Sequence, residues 1–147
     1  MTGLVNGERG MGRFAVDIDI ANFLDVAEWR AGKLDGDRVR RTTIQGIVDP
    51  GAARLVLPKK VVDDLGLPVV GTTTVRYADG RTAERDMVET AYIEIQGRKG
   101  AFRASVEPNR TTALIGALVL EDFDFLVDCS HQKLVPRDPK GIIREIE

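Results

Sequence analysis

The sequence holds one cysteine, Cys129, and one histidine, His131. A lone cysteine forms no intrachain disulfide, and one Cys with one His cannot build a four-ligand zinc site unaided. Neither a metal nor a cofactor is therefore expected. The pair is also a poor nucleophile and base, because the flanking Val127-Asp128 and Leu134-Val135 read as strand and no third group is identifiable to orient the imidazole. Apolar runs of membrane-spanning length are missing, and Met1-Thr2-Gly3-Leu4-Val5-Asn6-Gly7 has no apolar signal core. The expectation is a cytoplasmic protein with no membrane partner. Neither charge is in excess: 21 Lys plus Arg stand against 23 Asp plus Glu, for a formal net charge of -2. That balance gives no global attraction to nucleic acid, so no nucleic-acid partner is expected. Internal repeats and low-complexity segments are absent as well.

What is present suits one folded domain: 147 residues, 43% hydrophobic and 30% charged. Residues 1–12 carry Gly3, Gly7, Gly10 and Gly12 without apolar periodicity and read as a flexible leader. Their Gly-Glu-Arg-Gly-Met-Gly run has no strand before it, no Lys-Ser/Thr at its end and no helix after it, so it is no phosphate loop. From Phe14 the pattern alternates, with Val16, Ile18 and Ile20 on one face and Asp17 and Asp19 solvated on the other, as in a half-buried strand. Residues 22–41 read as a short helical or irregular connection. The β-branched cluster from Val39 to Val48 forms a second strand, and Leu55-Val56-Leu57-Pro58 a short third. Val61, Val62 and Leu65 fall at helical spacing between Pro58, a helix start, and Gly66, a stop.

In Val75-Arg76-Tyr77-Ala78-Asp79-Gly80-Arg81-Thr82-Ala83, Asp-Gly sits between extended residues, which is the chain's strongest hairpin signal. Strands follow over 87–95 and 101–106. Then comes Thr112-Ala113-Leu114-Ile115-Gly116, a short helix over 117–122, and a last hairpin around Cys129–Gln132. Residues 137–147 read as a charged tail with an apolar Ile142-Ile143.

The best candidate for chemistry is Asp49, where the strand ending Ile47-Val48 runs into Pro50-Gly51-Ala52. A carboxylate at the mouth of a strand accepts a backbone N–H from the turn and points into a shared cavity. Asp-Pro-Gly is equally an ordinary turn, and on this stretch alone both readings stand.

Taken in order, these elements resemble the retropepsin-like aspartic proteases, in particular the small prokaryotic single-domain relatives of retroviral protease. The resemblance rests on Val48-Asp49-x-Gly51-Ala52 as catalytic loop and Tyr77-Ala78-Asp79-Gly80-Arg81 as flap. Leu114-Ile115-Gly116-x-x-x-Leu120 matches the second apolar-apolar-Gly element, and the whole spans about residues 13–136. It implies a mainly β fold, a closed retropepsin-like barrel with one or two short helices. It also implies an obligate-type homodimer and a peptide or protein substrate, since each chain supplies one catalytic Asp. Peptide hydrolysis by two carboxylates uses one as base for a water and the other, protonated, to polarise the carbonyl and protonate the leaving amine. Asp49 and its counterpart would exchange those roles. Gly51 would donate to the carboxylate, and Tyr77, Ala78, Asp79 and Gly80 would cover the substrate.

Pro50 departs from the family, in which a Thr or Ser hydroxyl at this place bonds across the dimer axis; proline has neither hydroxyl nor N–H. Arg54 puts a cation near Asp49 and is expected to point outward into solvent. Two other readings follow: an inactive retropepsin-like dimer used as a peptide-binding scaffold, and an AbrB-like DNA-binding regulator. The second rests on the stretch from Leu55 to Leu67, with Leu57-Pro58-Lys59 at its centre, which is similar to the Leu-Pro-Lys helix of swapped-hairpin regulators.

Overall fold

The computed structural model describes residues 13–146, so the leader expected over 1–12, with its glycine-rich run, lies outside the described residues. Nine strands form: β1 (Phe14–Asn22), β2 (Arg41–Val48), β3 (Leu55–Pro58), β4 (Val69–Arg76), β5 (Thr82–Ile95), β6 (Arg98–Glu107), β7 (Ala113–Ile115), β8 (Phe125–Asp128) and β9 (Lys133–Pro136). Hydrogen bonds link them in the order β1-β2-β7-β3-β6-β5-β4, and β5 also pairs with β1. That last pairing closes six strands into a barrel and leaves β4 attached outside it, along β5. The mainly β, closed-barrel expectation is met. Closure removes the free edges of those six strands and leaves one, along β4.

The alternation in β1 becomes its two faces. Phe14, Ile18 and Ile20 are buried, while Asp17 and Asp19 stay on the exposed face. There they bond across the strand pair to Gln45 and Thr43, their register partners in β2. The core is mostly aliphatic, with Ile18, Val48, Leu55, Leu57, Ile93 and Ile115 almost fully buried. Phe123 closes one end, edge-on to Phe102 and Phe125 with ring centroids 5.4 and 6.2 Å away.

β5 pairs with β6 along one edge and serves two neighbours, β4 and then β1, along the other, on either side of a bulge. Val88 pairs with Ala104 and Ala91 with Phe102, so Glu89 and Thr90 oppose Arg103 alone, a bulge of two residues against one. Before the bulge β5 carries β4; after it, Ala91–Glu94 reach β1 and complete the ring. The Asp79-Gly80 hairpin joins β4 to β5 by a three-residue loop rather than a type I′ turn, since only Gly80 (φ 88°) has positive φ. The type I′ pair lies one hairpin later, at Gln96 (φ 50°) and Gly97 (φ 84°), and starts β6 at Arg98.

Three α-helices connect the strands: α1 (Phe23–Arg30), α2 (Lys59–Leu65) and α3 (Ala117–Asp122). α2 lies between Pro58 and Gly66 as its sequence signals indicate, with Gly66 left-handed at φ 65°. Its Val61, Val62 and Leu65 are buried. Leu55 and Leu57 of the Leu-Pro-Lys stretch belong to β3, buried between β6 and β7 within the barrel, and not to a swapped hairpin. The DNA-regulator reading is therefore not supported.

α1 resolves the ambiguous stretch over 22–41 as a helix followed by a 3₁₀ turn at Gly36–Arg38. Its apolar pattern is weak, and capping organises it instead. Asn22 accepts from the Asp25 N–H at 3.1 Å and donates through Nδ2 to the Leu65 carbonyl at 2.9 Å, joining α1 to the end of α2. After β7 and α3, the buried Arg98 donates to the carbonyls of Phe123 and Asp138, each at 2.6 Å, and so ties the chain at Asp138 to the end of α3. Among the described residues no helix is long and apolar enough to cross a membrane.

Asp25, like Arg98, is a buried charged residue, and its partner Arg40 is exposed. Asp25 is buried and takes the Arg40 guanidinium in a two-pronged grip, at 2.8 and 3.1 Å, with the Arg40 N–H at 3.0 Å. The guanidinium's hydrogen bonds hold the Asp25 carboxyl below the ordinary carboxylate range, against the opposing effect of burial. A depressed folded-state value means that this stabilisation is complete above the ordinary Asp pKa of about 3.9 and is lost as pH falls through the lower folded value. Asp25→Asn should thus lower the urea midpoint at neutral pH and flatten the fall in stability below about pH 4. An acid limb as steep as that of the unsubstituted protein would contradict this role.

Candidate active site

Asp49 is the first residue beyond β2, and Gly116 the first beyond β7. These strands run parallel with Val48 beside Ile115, so their ends emerge side by side. The Asp49 N–H donates to the Ile115 carbonyl at 3.0 Å. From there the chain turns at once: the Ala52 N–H donates to the Asp49 carbonyl at 3.1 Å, with Pro50 and Gly51 between them. Proline suits the second position of such a turn, where its fixed φ is required and its missing N–H is not. The Gly51 N–H then donates to Asp49 Oδ1 at 3.0 Å. A Cβ on Gly51 would lie 3.2 Å from that oxygen, close enough that the carboxylate would have to give by a few tenths of an ångström. The ordinary turn and the poised carboxylate are therefore one structure.

The loop is pinned from behind. A Cβ on Gly116 would lie 2.5 Å from the Arg54 carbonyl oxygen, 2.7 Å from the Arg54 nitrogen and 2.8 Å from the Ala52 carbonyl oxygen. With hydrogen in its place, the first residues of α3 reach the loop, Ala117 N–H donating to Ala52 O at 2.8 Å and Leu118 N–H to Ala53 O at 3.0 Å. Ile115 is fully buried behind the site, and Leu114 is half-buried.

Asp49 opens into a cleft of about 690 Å³ whose walls include Gly51, Ala52, Leu114, Tyr77 and Ala78. The Asp49 loop, the β4–β5 hairpin and the β7 end, far apart in sequence, thus meet in one cavity. Asp79 and Gly80 shape the hairpin instead of lining the cleft. Asp79 accepts from the Arg81 N–H at 3.0 Å and pairs with its guanidinium at 2.6 Å. Pro50 is exposed beside the cleft. Cys129 is exposed too; with Ser130 and His131 it forms the β8–β9 turn, where the His131 imidazole at 2.9 Å, and then the His131 N–H at 3.1 Å, hold the Asp128 carboxyl below the ordinary range. These residues do not line the cleft. Among the described residues no group of His, Cys, Asp and Glu is placed to hold a metal ion.

Three features of the site escape sequence reading. Arg13 Nη2 lies 2.8 Å from Asp49 Oδ2, so the cation on the carboxylate comes from the start of β1, not from Arg54. The register that pairs Phe14 with Val48 continues to Arg13 opposite Asp49, a signal available only once β1 is known to pair with β2. Tyr77 donates its phenol to Glu107 Oε2 at 2.8 Å, and Arg85 reaches the same oxygen at 3.2 Å, tying the hairpin to β6. The hydrogen bond to Glu107 holds the Tyr77 phenol above its ordinary pKa. Finally, Arg110 lines the cleft while bonding back to Thr112 at 3.0 Å.

Residues 31–119 match the family model described as aspartyl protease. Among solved structures, the solution structure of simian foamy virus (mac) protease is similar at 16% identity, covering 74% of this chain and 92% of that one, with a TM-score of 0.48. No curated protein matches.

The Gly116 contact makes a local prediction. Gly116→Ala drives a methyl group into backbone atoms and should cost about 1–3 kcal/mol of folding stability, the usual range for overpacking. Gly71→Ala, where a Cβ meets nothing within 4 Å, serves as the control and should stay within about 0.5 kcal/mol. Equal urea midpoints for the two variants would show that the loop is not pinned at Gly116.

Proposed function

Because the chain belongs to the aspartyl protease family, we propose that it is an endopeptidase in which Asp49 of one subunit and Asp49 of a second copy activate the lytic water. One observation carries the reading: the Asp49 carboxylate is fixed at the wall of a cleft, with one oxygen held by the Gly51 N–H, facing the hairpin that bears Tyr77 and Ala78. Each chain brings one such carboxylate, and the reaction uses two. Two carboxylates in contact cannot both stay ionised, so they share a proton. The ionised member takes a proton from water as it attacks the scissile carbonyl. The protonated member hydrogen-bonds the carbonyl oxygen and then protonates the leaving amine.

The surroundings of the loop favour a second copy. Gly51, Ala53 and Arg54 are exposed, and the exposed Leu118 stands beside them, its N–H on the Ala53 carbonyl. An apolar side chain next to the Asp49 loop gives a symmetric partner something to bury. Across the cleft, the β4–β5 hairpin acts as the flap over an extended peptide, and the free side of β4 offers backbone groups for strand addition.

Two observations favour a second reading, a dimer that binds peptides without cutting them. Pro50 supplies no hydroxyl across the axis, and Arg13 occupies the Asp49 oxygen that a water or a partner carboxylate would approach. On the protease reading, Arg13 swings away when the dyad forms. The ion pair is half exposed and worth about 1 kcal/mol or less, so the movement is accessible.

The test is hydrolysis of an unstructured peptide followed by mass spectrometry, with subunit number measured by sedimentation. Asp49→Asn should leave the fold and the dimer intact and lower the cleavage rate by about 10²–10⁴-fold, the range of a general acid–base contribution. Cleavage that survives the substitution removes the mechanism. Peptide binding without cleavage by the unsubstituted protein supports the second reading.

A further inference from the structure

The cleft differs in charge from the chain that encloses it. The protein is formally -2, yet the cleft is lined by four arginines, Arg13, Arg54, Arg76 and Arg110, against two carboxylates, Asp49 and Glu107. The partners divide unequally. Arg13 is on Asp49, Arg110 is turned onto Thr112, and Glu107 is engaged by Arg85 and Tyr77. Arg54 and Arg76 remain exposed and make no ion pair with a described residue. One follows the Asp49 loop and the other ends β4, so they flank the cleft from two different elements.

We infer that this cleft selects peptides carrying an acidic side chain, Asp or Glu, close to the bond presented to Asp49, and that Arg54 and Arg76 receive the carboxylate. The inference rests on the reading of the cleft as a peptide site. Three physical points support it. Every cation lining the cleft is arginine and none is lysine, and the planar guanidinium matches a carboxylate with two parallel N–H donors. A concave wall focuses the field of like charges and draws an anionic segment in. A basic peptide would bring like charge to the two guanidinia, which discriminates against it.

The test measures binding and cleavage separately. Fluorescence anisotropy with the Asp49→Asn protein compares labelled unstructured peptides that differ only by Glu-to-Gln replacement. The acidic peptide should bind about five- to tenfold more tightly at low salt, with the difference shrinking as salt screens it. In Asp49→Asn protein that also carries Arg54→Gln and Arg76→Gln, the two peptides should bind alike. A further pair, Arg54→Glu with Arg76→Glu, should shift preference to lysine-bearing peptides, with circular dichroism checking that each variant folds. Equal affinity for the two peptides overturns the inference, as does no binding of the acidic peptide. A preference that survives the double glutamine substitution also overturns it and assigns selection to Arg13, freed by the loss of its partner. Cleavage by the unsubstituted protein is read in parallel: equal cleavage of acidic and neutral peptides removes the selectivity and leaves the protease, whereas selective binding without cleavage removes the protease and leaves the selectivity.

Discussion

The whole site hangs on the approach of Gly116 to the backbone of Ala52 and Arg54, too close for any side chain. That approach follows from parallel pairing of β2 and β7, which makes the strands end together and delivers Asp49 and Gly116 to the same place. Parallel neighbours need a long connection, and here everything from the Asp49 turn to β6 lies between them. The barrel is thus what allows two short strands, distant in sequence, to hold one carboxylate. Were the pairing broken, Asp49 would be a charged residue in a free Pro-Gly turn.

Rigidity behind the carboxylate contrasts with the contacts in front of it. Behind are fully buried apolar side chains, backbone hydrogen bonds and a glycine without spare volume. In front are an exposed proline, an ion pair to Arg13 that solvent reaches, and a hairpin held by the Tyr77–Glu107–Arg85 network. Pro50 and Arg13 have little burial to hold them, while the Tyr77–Glu107–Arg85 network is part-buried. The same division explains the cleft's charge. The buried cation Arg98 is satisfied by backbone carbonyls, whereas a solvated wall tolerates several arginines even though the total charge is slightly negative.

Pro50 shows how a local rule and a site requirement coincide. As a turn residue it supplies the φ that the second position needs, and the turn aims the Gly51 N–H at the carboxylate. As a member of a dimer interface it would lack the hydroxyl expected from the resemblance. The fold of the loop therefore does not depend on that hydroxyl.

Much of this was legible in the chain because it is local. Alternation in β1, the Pro58 and Gly66 limits of α2, the Asp79-Gly80 hairpin and the apolar run into Gly116 each follow from spacing and turn chemistry within about ten residues. Asp49 could be singled out for the same reason, as a carboxylate where a strand breaks. The sequence of α1 fits two readings because capping by Asn22, not an apolar stripe, organises it. The pairing of β1 with β2, the bulge that lets β5 close the ring, and the meeting of Arg13, Asp49, Tyr77 and Leu114 in one cleft were decided only by the tertiary structure. Their physical reason is common: each depends on which strands lie side by side and in what register, and a single strand's sequence specifies its faces but not its neighbour.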